Sequence, residues 1–255
     1  MSYVFNMVGG GTGGGGGISD TDAILTVTVP TGSTVTMTKG GITLTPTMWV
    51  QAADNTLDCA LFVIAPNLFD SQNAWTVTAV LGPGSASQTV IIADNKQYDL
   101  VIYPPVYLVK NGTKIADFTG QSHTVITQQS GYVNFYINDN YAATSTSTDP
   151  VDLTRYSQIN ITIPNNGMSY YRSGVTPSLI IGRSRPYFSD QSSSQSLTNA
   201  SLIKMLSSNT TISANTYTLD ISSVSGAYYV GIAMSSANNP YIRASLDVSE
   251  LVVLQ

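Results

Sequence analysis

Catalysis by side chains needs positioned titratable groups, and this chain has few. His123 is the one histidine and Cys59 the one cysteine among 255 residues. A Ser-His-Asp triad requires three convergent side chains, and Ser122 cannot supply that geometry merely by sitting next to His123. A polar residue at a strand end is the expectation for His123. Cys59 opens the apolar run Cys59-Ala60-Leu61-Phe62-Val63-Ile64, which offers no electropositive neighbour to stabilise a thiolate. A buried structural thiol is expected there, and a lone cysteine forms no intrachain disulfide. A glycosidase needs two carboxyl groups about 5 to 9 Å apart. The candidates are Asp139, Asp149 and Asp152, with Glu250 the single glutamate, and turn aspartates are the simpler reading. Asp149, Asp152 and a nearby carbonyl leave a structural calcium open, since that ion takes about six to eight oxygens. No dense Asp-x-Asp-x-Asp loop accompanies them, and no other cofactor is expected. The chain therefore reads as a protein without catalytic activity.

The residues better suited to recognition are aromatic and basic. Tyr170, Tyr171, Tyr187 and Tyr241 lie in or beside polar stretches, with Arg172, Arg183 and Arg185 near them. Flat rings stack on sugar faces while guanidinium groups hydrogen-bond hydroxyls. Tyr and Arg are equally what subunit interfaces enrich, so sugar contact and oligomer contact both stay open. A second recognition element is the N-terminal MSYVFNMV, followed by glycine from Gly9 to Gly17 broken only by Thr12. Glycine is costly to order, which makes the tract a tether, and Tyr3, Val4, Phe5 and Met7 could dock at its end by adding an edge strand to a partner. The alternative is a terminal tail without a role.

The elements that must hold these residues are strands. Leu25, Val27 and Val29 alternate up to Pro30, Val35 and Met37 up to Lys39-Gly40-Gly41, and Trp75, Val77, Ala79 and Leu81 up to Gly82-Pro83-Gly84. A two-residue period marks a strand with one buried face. Cys59 to Ile64 suits a central strand, and Val90, Ile92 and then Tyr98, Leu100, Ile102 complete six or seven strands of a small immunoglobulin-like sandwich. Tyr103-Pro104-Pro105 ends strand pairing and marks a semi-rigid boundary. Beyond it, Tyr107 to Lys110, an Asn111-Gly112 type I′ turn and Thr113 to Phe118 form a hairpin. Strands are expected at Thr124–Thr127, Gly131–Asn138, Gln158–Ile163 and Ser178–Gly182. A polar loop is expected at Tyr141–Thr148, a serine-rich loop at Ser189–Ser196, and a strand or one helical turn at Leu202–Leu206. The last forty residues read as a meander in which Ser225-Gly226 and Asn238-Asn239-Pro240 provide the turns. The fold class is all-β, an Ig-like β-sandwich followed by a jelly-roll β-sandwich. The divisions are residues 1–19 as tag and tether, 20–103 and 104–255.

Composition narrows the partners. Charged residues make up 10% of the chain and the net charge is −5, which argues against a nucleic-acid groove, since that needs a basic stripe. The first 103 residues carry two lysines against seven aspartates, and the remainder eight basic and eight acidic groups. No apolar run approaches the roughly 18 residues of a membrane span. Met1 to Val8 lacks a basic n-region, so no signal peptide is expected.

The phrase NAWTVTAVLGPGSASQTVII resembles the Ig-like and PEGA-like modules of bacterial surface and bacteriophage structural proteins. YLVKNGTKIADFTG, VDLTRYSQINITI, SLIIGRS and TYTLDISSVSGAYYVGIAMSS resemble the carbohydrate-binding-type jelly roll that ends many phage and prophage virion proteins of Gram-positive hosts. The resemblance implies a virion location, as capsid decoration, head fibre or tail component. It further implies contact with other virion proteins through the N-terminus and adhesion to host-surface glycan. A purely architectural subunit, with homo-oligomer contacts and no sugar, is the alternative. Ile115-Ala116-Asp117 departs from the usual second strand of that jelly roll, which carries an acidic residue and a cysteine.

Overall fold

The computed structural model describes residues 18–51, 56–120, 124–140, 142–170, 175–189, 196–206, 215–236 and 242–255. They form an all-β protein with two apolar cores, one per sandwich. The first sandwich holds β1 (Ala23–Pro30), β2 (Thr34–Lys39), β3 (Ile42–Leu44), β4 (Met48–Gln51), β5 (Leu57–Ile64), β6 (Trp75–Leu81), β7 (Gly84–Val90) and β8 (Gln97–Val101). One sheet runs β4-β5-β1-β8 and the other β3-β2-β6-β7. All pairs are antiparallel except β1 with β8, which run parallel from Ile24↔Gln97 to Thr28↔Val101. Alternation explains the core: Leu25, Val27, Phe62, Ile64, Trp75 and Val77 point between the sheets and are fully buried. The expected six or seven strands are in fact eight, because β3 and β4 are short edge strands without a periodic signature.

The second sandwich contains β9 (Val106–Lys110), β10 (Thr113–Lys114), β11 (Phe118–Gly120), β12 (Thr124–Gln129), β13 (Tyr132–Asn140), β14 (Ala142–Ser147), β15 (Val151–Asp152), β16 (Gln158–Ile163) and β17 (Met168–Tyr170). It continues through β18 (Val175–Gly182), β19 (Tyr187–Phe188), β20 (Leu197–Thr198), β21 (Leu202–Met205), β22 (Asn215–Asp220), β23 (Ala227–Ser236), β24 (Ile242–Val248) and β25 (Glu250–Leu254). One layer joins two sheets, β10-β9-β25-β16-β22 and β12-β13-β24-β17. They meet where β24 runs into β25 and β16 into β17, with Ser249 N–H donating to the Thr162 carbonyl and Asp247 N–H to that of Gly167. The opposing layer is β11-β14-β23-β18-β21, with β15 also on β23. Successive strands cross from layer to layer, which is jelly-roll wiring.

Four expectations are corrected. The final segment is not a meander: β22 pairs with β16, β23 with β14 and β18, and β24 with β13 and β17, so these neighbours in sequence do not pair with one another. The alternation of Tyr229, Gly231 and Ala233 reads in the sequence as the buried face of β23, but the core set there is Tyr228, Val230, Ile232 and Met234, of opposite parity. The Thr113–Phe118 arm divides, because Ile115 and Ala116 N–H both donate to the Leu108 carbonyl. That bulge turns the chain out of the first layer and sends Phe118 to meet Phe135 edge-on at 5.4 Å. Finally, Tyr141–Thr148 is not a loop. Ala142–Ser147 is β14, buried at every residue, because it lies between β11 and β23 with its inner face on the core. Val230 N–H donates to Ser147 Oγ there. Leu202–Met205 resolves as a strand, and the Asn111-Gly112 turn has φ of 51° and 76°, the left-handed pair a type I′ turn needs.

The two sandwiches meet through a short joint. Ile102 is buried in the first core and Tyr103 in the second. Tyr156 Oη donates to the Pro104 carbonyl at 2.9 Å, and Lys110 Nζ to that of Pro83 at 3.0 Å. A Cβ on Gly84 would stand 2.0 Å from the Pro105 oxygen, so only glycine fits.

Candidate functional site

The outer face of the β14 layer carries a small polar groove. Its floor is Thr144 and Thr146, side by side with Ala233 and Gly231 in the strand register. The small partners at those positions keep the floor low; a Cβ on Gly231 would meet the Ser145 oxygen at 2.3 Å. After β18 the chain turns back over this face. Gly182 permits the turn, since a Cβ there would collide with the Asn199 and Ser184 carbonyls. Pro186 is buried against the face, and Tyr187 and Phe188 (β19) pair with Leu197 and Thr198 (β20). The resulting hollow of about 250 Å³ is lined by Thr119, Gly120, Thr144, Thr146, Arg185, Pro186 and Tyr187.

Arg185 and Tyr187 supply the recognition chemistry. Arg185 is held from two sides, by a hydrogen bond from Nη2 to the Thr148 carbonyl and by the Tyr229 ring 5.3 Å from its guanidinium carbon. Tyr187 is 39% exposed, a large ring open to solvent at the rim. Threonine hydroxyls, a fixed guanidinium and a flat ring in one hollow are groups that can hydrogen-bond hydroxyls while stacking on an apolar face.

Arg183 stands apart from this lining. Its Nε donates to Tyr228 Oη at 3.0 Å and its Nη2 to the Ser225 carbonyl at 3.3 Å, which ties β18 to the β22–β23 turn. Tyr170 ends β17, in the opposite layer. Tyr171, Arg172 and Tyr241 lie outside the described residues, as do His123 and the docking set Tyr3, Val4, Phe5 and Met7. Of the expected residues, Arg185 and Tyr187 are the two brought together. Thr119, Thr144, Thr146 and Pro186 were not anticipated. The one sequence signal for the floor was threonine at every second position in ATSTST.

Other polar positions are structural in character. Cys59 is buried, its sulfur 3.8 Å from Thr28 Oγ1. Asp152 accepts from the Thr154 N–H at 3.0 Å and its hydroxyl at 2.6 Å, the self-capping of an Asx turn. Among the described residues no cluster of three His, Cys, Asp or Glu side chains is placed to hold a metal. Asp70 is held well below the usual carboxylate range by the Asn73 side chain and the N–H groups of Gln72 and Asn73. Burial pushes the Tyr156 hydroxyl up to about 12. Asp247 is raised by burial, against the opposing hydrogen bond from Asn134 at 2.6 Å. A larger cavity of about 470 Å³, lined by Leu57, Leu81, Tyr103, Val106, Arg155 and Tyr156 among others, lies at the joint between the sandwiches.

No family model and no curated protein matches the chain. Among solved structures it is similar to one described as the basis for the promiscuous specificity of carbohydrate-binding modules from the β-sandwich superfamily. The identity is 12% and the TM-score 0.35, with 88% of this chain and 85% of that chain covered.

Proposed function

We propose that this chain is a non-enzymatic virion protein that binds host-surface glycan through the Arg185–Tyr187 groove and is docked to other virion proteins by Tyr3, Val4, Phe5 and Met7. The observation that carries the glycan reading is the groove itself. A rim tyrosine, a clamped arginine and two buried threonines surround a hollow below the roughly 300 Å³ at which pockets for drug-sized ligands begin, a volume suited to one sugar ring. The virion assignment rests on the sequence resemblance described above. On a glycan array, the full chain is expected to bind a subset of saccharides, and Tyr187→Ala to weaken that binding about tenfold, equivalent to ~1.4 kcal/mol. Undiminished binding by the variant would remove the groove from the reading. Deleting residues 1–17 is expected to prevent incorporation into particles, and normal incorporation would remove the docking role.

A second reading is favoured by exposed apolar side chains on edge strands. Ile203 and Met205 on β21 are 53% and 54% exposed, and Met48 and Trp49 on β4 are each 43% exposed. Open edges with apolar side chains are surfaces on which subunits pair. An architectural subunit that binds no sugar would use them, and sedimentation of the purified chain as a stable oligomer without glycan binding would support it.

A further inference from the structure

Resting on the glycan reading of the groove, we propose that the saccharide it takes carries an acidic group, a carboxylate or a phosphate, which Arg185 receives. The groove has one sign of charge. Its lining is Thr119, Gly120, Thr144, Thr146, Arg185, Pro186 and Tyr187, with no carboxylate among them. Among the described residues the ion pairs are Lys39 with Asp70, Lys96 with Asp94 and Lys114 with Asp117, and Arg185 is in none of them. Two described acids lie close to it along the strands and neither pairs with it. Asp117, on the turn before β11, is engaged by Lys114 at 3.1 Å. Asp149, next in the chain to the Thr148 carbonyl that Arg185 binds, forms no ion pair with it. Among the described residues this guanidinium has no ion-pair partner, in a protein whose net charge is −5.

The way Arg185 is held matters as much as its charge. A guanidinium carries five N–H donors in a rigid fork. The one hydrogen bond to Thr148 uses a single nitrogen, and the Tyr229 ring supports the guanidinium from a second side. The remaining donors stay available for a ligand, and carboxylate and phosphate oxygens match that fork where a neutral hydroxyl does not. A sugar ring against Tyr187 would bring its acidic substituent to Arg185 and its hydroxyls to Thr144 and Thr146. Lysine at this position would keep the charge and lose the fork.

The test uses the full chain in calorimetric titrations with three probes: trigalacturonic acid, its neutral methyl ester, and a glycerol phosphate oligomer. The unsubstituted protein is expected to bind at least one acidic probe about tenfold or more tighter than the methyl ester, with the preference shrinking as salt is raised. Which acidic probe wins distinguishes carboxylate from phosphate. Arg185→Gln should bring the ratio of acidic to neutral affinity close to one, and Arg185→Lys should leave an intermediate ratio, with near-ultraviolet circular dichroism unchanged in both. Equal binding of acid and ester by the unsubstituted protein, or a preference that survives Arg185→Gln, overturns the acidic-ligand inference and leaves the glycan reading standing. Failure of all three probes and of every saccharide on the array overturns both.

Discussion

β5 of the first sandwich and β14 of the second occupy equivalent positions. Each is flanked by strands on both sides, and each carries consecutive buried residues. β5 does this with Cys-Ala-Leu-Phe-Val-Ile, β14 with Ala-Ala-Thr-Ser-Thr-Ser. The difference teaches that burial in this molecule is set by where a strand lies in its layer, not by how apolar its residues are. β5 gains its burial by the ordinary hydrophobic route. β14 is made buried by its neighbours: the core lies beneath it, and Pro186 and the β19 turn cover part of its outer side. Its hydroxyls must then be satisfied or tolerated, and Ser145 Oγ is tolerated, being buried without a hydrogen-bond partner among the described residues.

The same substitution at the two strands should therefore act with opposite sign. Phe62→Ala removes a ring that is 1% exposed from the first core and is expected to cost about 3–5 kcal/mol in urea unfolding. A loss under ~1 kcal/mol would mean that the first core does not depend on β5. Ser145→Ala, on the inner face of β14, removes an unpaired buried hydroxyl and is expected to raise stability by about 1 kcal/mol. Destabilisation there would show that the hydroxyl has a partner and that the comparison is mistaken. The smallest effect is expected at Asp247, on the layer facing β14. Burial makes its folded carboxyl hold a proton more tightly than the unfolded one, so the folded state binds more protons. Stability should fall as pH rises from about 4, the unfolded aspartate value, through the raised folded value. Asp247→Asn should flatten that part of the pH–stability curve, and an unchanged slope would assign it to another group.

The contrast also explains which parts of the sequence were legible. β1, β2 and β6 carried their own period and stopped at Pro30, Gly40 or Gly82, and β5 carried an apolar run that stopped before Pro66, so local signals sufficed. β14 had neither, because its burial comes from residues distant in the chain. The pairing of β22, β23 and β24 was equally hidden: Ser225-Gly226 marks a turn, but a turn does not say whether the next strand returns alongside or crosses to the other layer. At the candidate site, Arg185 and Tyr187 were legible as residue types in a polar stretch. Thr144 and Thr146 were not, because their role follows from the small Ala233 and Gly231 opposite them, a register that sequence does not carry. Arg183, chosen by the same reasoning as Arg185, is occupied in holding a turn.

The joint at Ile102 and Tyr103 has a mechanical consequence. Adjacent residues are seated in different cores, so a pull on the second sandwich reaches β8 with no slack chain to take up. β8 runs parallel to β1 over five residue pairs, and the pull leaves by the far end of β8 while the chain enters at the near end of β1. Tension between the two ends therefore slides the strands along their length and loads their hydrogen bonds together, instead of unzipping them one by one. Such an arrangement resists forced unfolding far better than its thermodynamic stability alone would suggest.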